Sequence, residues 1–223
     1  MSRREGEQRR AAAPREAHPP QFDEDELQPV EPPLDADLDV YRAVVTGDHS
    51  NLDGGGEISE SLLDAANLAG SRLDGLELAN VAIRRGDLSN AVWEGVTARR
   101  VAVTGSRAVG WRAILDFAEE LHIEGCRWDH GGLYIGRTRG SIVFRDCSFA
   151  GTTVRGDLSR VVFDRCDFAG VEFGATAAKD CDLRTSRLTG ASGLVTLKGA
   201  RISTEQAIEI ADLLAAEVGF RLD

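Results

Sequence analysis

The residues best suited to chemistry in this sequence are its four cysteines and four histidines. His122, Cys126 and His130 stand four residues apart from one another, a spacing superficially like that of a zinc site. The other three cysteines raise the question of a nucleophile or a redox pair. Whether any of these side chains converge depends on the elements that hold them.

Other catalytic signatures are absent from the sequence. It contains no GxSxG nucleophile motif, no glycine-rich phosphate loop before a helix and no HExxH pair. We therefore assign no catalytic residue, no cofactor-binding motif and no metal ligands, and we expect that the chain is not an enzyme.

The elements that hold these residues follow a period of five. In the stretch "VVFDRCDFAGVEF" the phenylalanines stand at 163, 168 and 173. A helix repeats its apolar face near 3.6 residues and a half-buried strand near 2, so neither explains this spacing. In a short extended segment, residues i and i+2 point to the same side. A corner after each piece then turns the next pair inward, and four corners close a coil.

Residues 20 apart should stack in such coils and should match in size. One inward column is small throughout: Ala66, Gly86, Ser106, Cys126, Cys147, Cys166 and Ser186. The column two residues later is mostly large: Leu68, Leu88, Ala108, Trp128, Phe149, Phe168 and Leu188. Cys147 stands 21 residues after Cys126 and 19 residues before Cys166, which predicts an insertion near 139–142 and a deletion near 155–157. The register survives both changes.

The segments "ANLAG", "CSFAG" and "CDFAG" resemble the pentapeptide-repeat family, whose pattern is A(D/N)LXX with Cys or Ser often in place of Ala and Phe in place of Leu. The resemblance covers residues 56–200. It implies an all-β solenoid, a right-handed quadrilateral parallel β-helix of about seven coils and on the order of 34 Å long at a strand spacing of 4.8 Å.

In this register the cysteines point inward, whereas His122 and His130 point outward, so they cannot form a metal site together. We expect the cysteines to be buried wall residues, because free Cys behaves as a small hydrophobe. The predicted structural core is Leu68, Leu88, Trp128, Phe149, Phe163, Phe168, Phe173 and Leu188, with Cys126, Cys147 and Cys166 beside it.

Residues 96–122 depart from the pattern. Ala98, Ala108, Ala113 and Ala118 stand where large residues are expected, and Trp111 stands at a small position. We expect a bulge, a loop or a distorted face there, and one hypothesis makes this region a ligand pocket or an enzymatic site.

The segments outside the repeat predict three further parts. Residues 1–33 are rich in proline and charge and should be disordered. Residues 34–55 should form a capping element that leads into the first coil. Residues 201–223 should form a capping helix that begins with a Ser203–Gln206 capping box. Members of the family with such a helix are often dimers, so the candidates for the cap and a dimer contact are Ile208, Ile210, Leu213, Leu214 and Val218.

The charge of −11 is uneven along the chain, with a balance of −7 in residues 1–55, −1 in 56–200 and −3 in 201–223. Family members linked to quinolone resistance resemble a DNA duplex in shape and charge and occupy the DNA-binding saddle of gyrase. A nearly neutral body argues against that second hypothesis. The first hypothesis is a non-catalytic cytoplasmic scaffold, bacterial in composition, that binds a protein partner and forms a homodimer. We expect it to bind neither nucleic acid nor membrane.

Overall fold

The structure, a computed structural model, describes residues 16–221, and most of them belong to one stack of parallel strands. The strands are β1 (Gln28–Val30), β2 (Asp37–Tyr41), β3 (Ala43–Asp48), β4 (Asp53–Asn67), β5 (Arg72–Asp74), β6 (Glu77–Arg84), β7 (Val92–Thr104), β8 (Arg112–Glu124), β9 (Gly132–Arg145), β10 (Thr153–Asp157), β11 (Val162–Asp164) and β12 (Glu172–Ala177). Two short helices, α1 (Thr204–Glu209) and α2 (Ala211–Glu217), follow them. The predicted parallel β-solenoid of about seven coils is confirmed.

The chain turns a corner at every fifth residue. Gly70, Gly75, Asn80, Arg85 and Asn90 all have φ between 55° and 70°. Each coil is paired to the next at a distance of 20 residues, so four corners fit in one coil. The coils are therefore four-sided, as the five-residue period predicts.

The two changes of register also lie where the sequence places them. Glu119 pairs with Arg139 but Leu121 pairs with Ile142, which puts the extra residue between 139 and 142. The register shifts back between Gly156 and Asp157. Both the predicted insertion and the predicted deletion are confirmed.

The interior is built from four columns of inward side chains, one for each face, which we number in the order that the chain meets them after residue 56. Face 1 is centred on Ile58, Leu78, Ala98 and Ala118. Face 2 is centred on Leu63, Ile83, Val103, Ile123, Phe144 and Phe163. Face 3 is centred on Leu68, Leu88, Ala108, Trp128, Phe149, Phe168 and Leu188. Face 4 is centred on Leu73, Trp93, Ala113, Leu133, Val154 and Phe173.

The N-terminal part differs from the expected disordered segment, of which residues 1–15 lie outside the described residues. Residues 16–33 instead contact the solenoid, and β1 pairs with β3 in the first coil. The physical reason is that Phe22 and Leu27 have an apolar surface to pack against outside the solenoid. Residues 34–55 add β2 and β3, which form a coil of the solenoid themselves.

The C-terminal helix is split into two pieces at Ile210, and its predicted capping box is present. The Ser203 hydroxyl accepts a hydrogen bond from Gln206 N at 3.2 Å, and Ser203 N donates to Gln206 Oε1 at 2.7 Å. Gln206 Nε2 also donates to the carbonyl oxygens of Leu183 and Ser186. The cap is thus tied to the backbone of the last coil by two side-chain hydrogen bonds. Neither helix within residues 16–221 has the length or the apolar run of a membrane span.

Replacing Phe168 with alanine should lower the free energy of unfolding by about 3–5 kcal/mol, as truncation of a buried phenylalanine does. The Phe168 ring is fully buried and stacks on Phe149 with centroids 5.2 Å apart. Urea denaturation measures the change. Tyr41→Ala is the control, because the Tyr41 side chain is exposed, and it should change stability by less than about 0.5 kcal/mol. A loss below about 1 kcal/mol for Phe168→Ala would contradict this packing.

Candidate functional site

The cysteines lie inside the solenoid and the histidines near them do not. Cys126, Cys147 and Cys166 form a buried column beside face 3. The His122 ring lies on the outside, where its Nε2 is 3.1 Å from Glu124 Oε2, and His130 is an exposed corner residue. Within residues 16–221, no three His, Cys, Asp or Glu residues are grouped so that they could hold a metal ion.

The thiols of Cys126 and Cys181 are also held in their protonated form. The neighbouring thiol of Cys147, followed by burial, raises the pKa of Cys126. Burial, followed by the charge of Asp182, raises the pKa of Cys181 to about 12. Because the thiolate is the nucleophile, these sulfur atoms are poorly suited to chemistry at neutral pH.

The predicted core residues all lie in the interior, each no more than 2 % exposed: Leu68, Leu88, Trp128, Phe149, Phe163, Phe168, Phe173 and Leu188. The aromatic members form a continuous stack along the axis. Trp128 stacks on Phe149 with centroids 5.8 Å apart, and Phe168 lies 5.2 Å from Phe173. This arrangement fills the centre of the solenoid with apolar side chains.

Residues 96–122 are more regular than the sequence suggests. β7 and β8 run through the region with one local register shift, between Trp93 and Thr97. Trp111 is buried at a position that is small elsewhere and stacks on Trp128 at 4.1 Å, so its indole fills the space that the smaller alanines leave. The apolar cavity that remains inside is about 20 Å³. Since a single water needs roughly 10–15 Å³, the interior of this region does not form a ligand pocket.

Many arginines on the outside pair with an acid on an adjacent coil. Arg165 Nη2 lies 2.6 Å from Asp146 Oδ2, and Arg187 Nη2 lies 2.6 Å from Asp167 Oδ2. Such pairs are exposed and contribute little stability, about 0–1 kcal/mol each. They do, however, neutralise the surface locally where they occur.

Face 4 carries an open groove of about 540 Å³. We call it the face 4 groove. Two outward columns border it, first Arg72, Val92, Arg112, Gly132 and Thr153, then Asp74, Glu94, Ile114, Tyr134 and Arg155.

The groove exists because two small residues interrupt a row of long side chains. Val92 lies between Arg72 and Arg112, and Gly132 lies between Arg112 and Thr153. A Cβ added at Gly132 would meet only Arg112 Cγ, at an ordinary contact distance of 3.6 Å. The absence of a side chain at Gly132 therefore leaves open volume that no packing in the fold requires.

The charges of the groove are ordered along the axis and have few partners. Asp74 and Glu94 lie at one end, Ile114 and Tyr134 in the middle and Arg155 at the other end. Arg155 pairs with Glu172 at 2.9 Å. Within residues 16–221, the other charged side chains of the groove make no hydrogen bond or ion pair; they are Asp53, Arg72, Asp74, Glu94 and Arg112.

The C-terminal end carries a second apolar feature. A cleft of about 250 Å³ lies between the last coil and the two helices, and Leu194, Ile210 and Leu214 are among its lining residues. Ile210 is buried and Leu213 and Leu214 are partly buried against the core, whereas Ile208 and Val218 are exposed. Leu213 is therefore less accessible than the helical pattern suggests.

Phe220, which sequence reasoning did not single out, is 69 % exposed beyond the end of α2. It follows Gly219, which has a φ of 90° at the end of the helix. This glycine is the feature of the sequence that could have placed Phe220 outside the helix. Val195 adds a further exposed apolar side chain at this end.

Comparisons with known proteins found similarity only among solved structures. No protein-family model matches the chain, and no curated protein sequence matches it. A trypsin-treated variant of QnrB1, a plasmid-mediated fluoroquinolone resistance protein, is 17% identical over 81% of this chain and 97% of that chain, with a TM-score of 0.38. HetL, a pentapeptide-repeat protein involved in heterocyst differentiation regulation from the cyanobacterium Nostoc sp. strain PCC 7120, is 14% identical over 69% of this chain and 86% of that chain, with a TM-score of 0.22.

Similarity at this level carries no argument about what the chain binds. The repeat and the solenoid are themselves consistent with a pentapeptide-repeat family.

The free energy of unfolding should fall as pH rises above about 9, because the unfolded Cys181 thiol ionises near its ordinary pKa of 9.0 while the buried thiol stays protonated up to a pKa of about 12. The contribution of the Cys181 thiol to the free energy of unfolding is fully present below pH 9 and is lost as the pH rises from about 9 to about 12. Denaturant titrations of the wild type and of Cys181→Ala measure it. The stability of Cys181→Ala should depend less on pH in this window, and equal slopes would contradict the prediction.

Proposed function

We propose that this protein is a non-catalytic interaction protein and that the face 4 groove is its surface for a protein partner. The observation that carries the proposal is the open groove itself, whose charged side chains other than Arg155 make no hydrogen bond or ion pair within residues 16–221. Tyr134, which is 42 % exposed, lies among them. Tyrosine and arginine are enriched at the centres of protein interfaces, and here both residue types lie on neighbouring strands of the solenoid.

The groove favours an extended segment of the partner that lies along the solenoid axis. From Asp74 to Arg155 it spans four coil steps, roughly 19 Å at 4.8 Å per step, which is the length of about six extended residues. The complementary segment carries a basic residue opposite Asp74 and Glu94, an apolar residue beside Ile114 and Tyr134, and an acidic residue opposite Arg155.

The hypothesis of a DNA-like modulator of gyrase has no such support. That mode needs an acidic field on one side of the molecule. The groove instead combines three acids, Asp53, Asp74 and Glu94, with three arginines, Arg72, Arg112 and Arg155. Elsewhere on the solenoid, Asp146 and Asp167 are paired with arginines.

The C-terminal end supports the proposal of a homodimer. Ile208, Val218 and Phe220 are exposed apolar residues next to an unfilled apolar cleft, so a second copy related by a two-fold axis would cover both features at once. The four free thiols suit a reducing compartment such as the cytoplasm.

Filling the groove should abolish partner binding without unfolding the protein. Gly132→Leu places a side chain in the open volume, and no backbone atom opposes its Cβ. Affinity capture from a lysate of the source organism, followed by mass spectrometry, should enrich a protein with the wild type and lose it with Gly132→Leu. Ala79→Leu is the matched control, because Ala79 is a half-exposed strand residue on face 1.

Two outcomes would contradict this proposal. Equal capture by the wild type and both variants would show that the groove is not the binding surface. Capture of no protein above background by the wild type would contradict the interaction function itself. Circular dichroism and thermal melting of each variant confirm that the solenoid is intact.

Charge at the C-terminal end should dissociate the dimer. In the double variant Ile208→Glu/Phe220→Glu, two carboxylates replace exposed apolar side chains, so the monomer keeps its fold while a two-fold contact would bury like charges. Light scattering should give twice the chain mass for the wild type and the chain mass for the variant. Tyr41→Glu, at the opposite end, is the control. A wild type that is monomeric at high concentration would contradict the dimer.

A further inference from the structure

The outward residues of face 2 form an apolar strip that the other faces lack. On each face, one outward side chain precedes each inward centre. On face 3 this column is polar throughout, with Asn67, Asp87, Arg107, Arg127, Ser148, Asp167 and Arg187. On face 2 it is mainly apolar, with Val44, Leu62, Ala82, Ala102, His122, Val143 and Val162. We call this column the face 2 strip.

The face 2 strip is separate from the interior of the solenoid. Leu62 and Ala82 form a small hydrophobic cluster with Leu27, and Phe22 and Val44 pack against it. None of these five residues belongs to the large core cluster. An apolar surface on the outside of a sheet that is complete without it is a typical feature of a binding site.

Residues 18–27 of the same chain, which we call the strap, cover the first part of the face 2 strip. The backbone N–H of His18 donates to Glu120 Oε2 at 2.9 Å, which fixes the strap at the coil of β8. Further along, Phe22 and Leu27 contact the strip near Leu62 and Ala82. The strap thus runs from β8 towards the first coil, opposite to the direction in which the coils stack.

The strap is also matched to the charges beside the strip. The two carboxylate oxygens of Glu24 accept hydrogen bonds from Arg84 Nη1 at 3.1 Å and from Arg84 Nη2 at 2.6 Å. Glu26 pairs with Arg42 on the first coil. The sequence "FDEDEL" therefore places its two apolar residues on the strip and two of its acids on the arginines that flank it.

These contacts hold the strap in place only modestly. The side chains of Arg84 and Glu24 are 42% and 50% exposed, and exposed ion pairs contribute little against the entropy of ordering a chain segment. Alongside the strap, Ala102 and His122 of the strip are half-exposed. Val143 and Val162, beyond the anchor at Glu120, are buried. The strap therefore leaves the middle of the strip partly accessible.

We propose that the face 2 strip is a docking surface for an extended acidic segment of a partner protein, with an aromatic residue and a leucine five positions apart, and that the strap occupies this surface as an internal competitor until the partner displaces it. The chemistry of the occupant is that of the strap itself, because the strap shows which side chains the strip accepts. This surface is separate from the face 4 groove, and the proposal stands without it.

A fluorescent peptide of residues 20–28, "PQFDEDELQ", tests the proposal by anisotropy on the full chain. Phe22→Ser/Leu27→Ser opens the strap and leaves the strip unchanged. A strap that occupies the strip about nine tenths of the time weakens the apparent affinity for the peptide about tenfold. The opened variant should therefore bind the peptide about ten times more tightly than the wild type does.

Adding Arg84→Glu to the opened variant should weaken binding of this peptide about fivefold, since a lost exposed pair is worth about 1 kcal/mol, and a Glu24→Lys peptide should restore the affinity. Adding Arg107→Glu should have no effect, because Arg107 is an exposed arginine on face 3. Three results would overturn the proposal. The opened variant could bind this peptide no more tightly than it binds a scrambled peptide, or the wild type could bind the peptide as tightly as the opened variant does. Alternatively, the wild type could be a dimer that Arg84→Glu dissociates, which would assign the strip to the strap of a second copy.

Discussion

The whole structure depends on a corner at every fifth residue with a backbone in the left-handed region. Residues such as Asn80, Arg85 and Asn90 adopt φ near 55° there, at a cost of roughly 1–2 kcal/mol for an ordinary L-residue. What offsets this cost is the stacking of the coils. Each coil donates backbone hydrogen bonds to its neighbours and buries a pair of side chains on every face, so the strained corners persist because the structure on both sides determines them.

This constraint divides each repeat into two inward and three outward residues. The order of sizes within the inward pair is not fixed. At Ala91 and Trp93 the small residue comes first, whereas at Trp111 and Ala113 the order is reversed, and both pairs are buried. The interior therefore tolerates exchange within a pair as long as the volume is conserved between adjacent coils.

The division also explains what could be predicted from the sequence. The register, the insertion near 140 and the capping box all follow from inward residues or from local hydrogen bonding, so a period reveals them. In residues 96–122 the expected distortion is limited to a register shift near Val96, and the burial of Trp111 against Trp128 does not follow from the five-residue pattern. The strap was misjudged because Phe22 and Leu27 are too few to bury each other, and their partners Leu62 and Ala82 lie far along the chain. The face 4 groove depends on a missing side chain at Gly132, and an outward glycine has no distinctive pattern in this repeat.

Because outward residues carry almost none of the packing, their chemistry is free to serve binding. Faces 2 and 4 use that freedom in opposite ways. On face 4 most of the charged side chains in the groove are left without partners and a concavity is left open, so the segment that we propose to bind there lies outside this molecule. On face 2 the complementary segment is part of the chain, and its acids and apolar residues already satisfy Arg84 and the strip. A rigid solenoid can hold both arrangements at once, since neither surface has to move when the other is occupied.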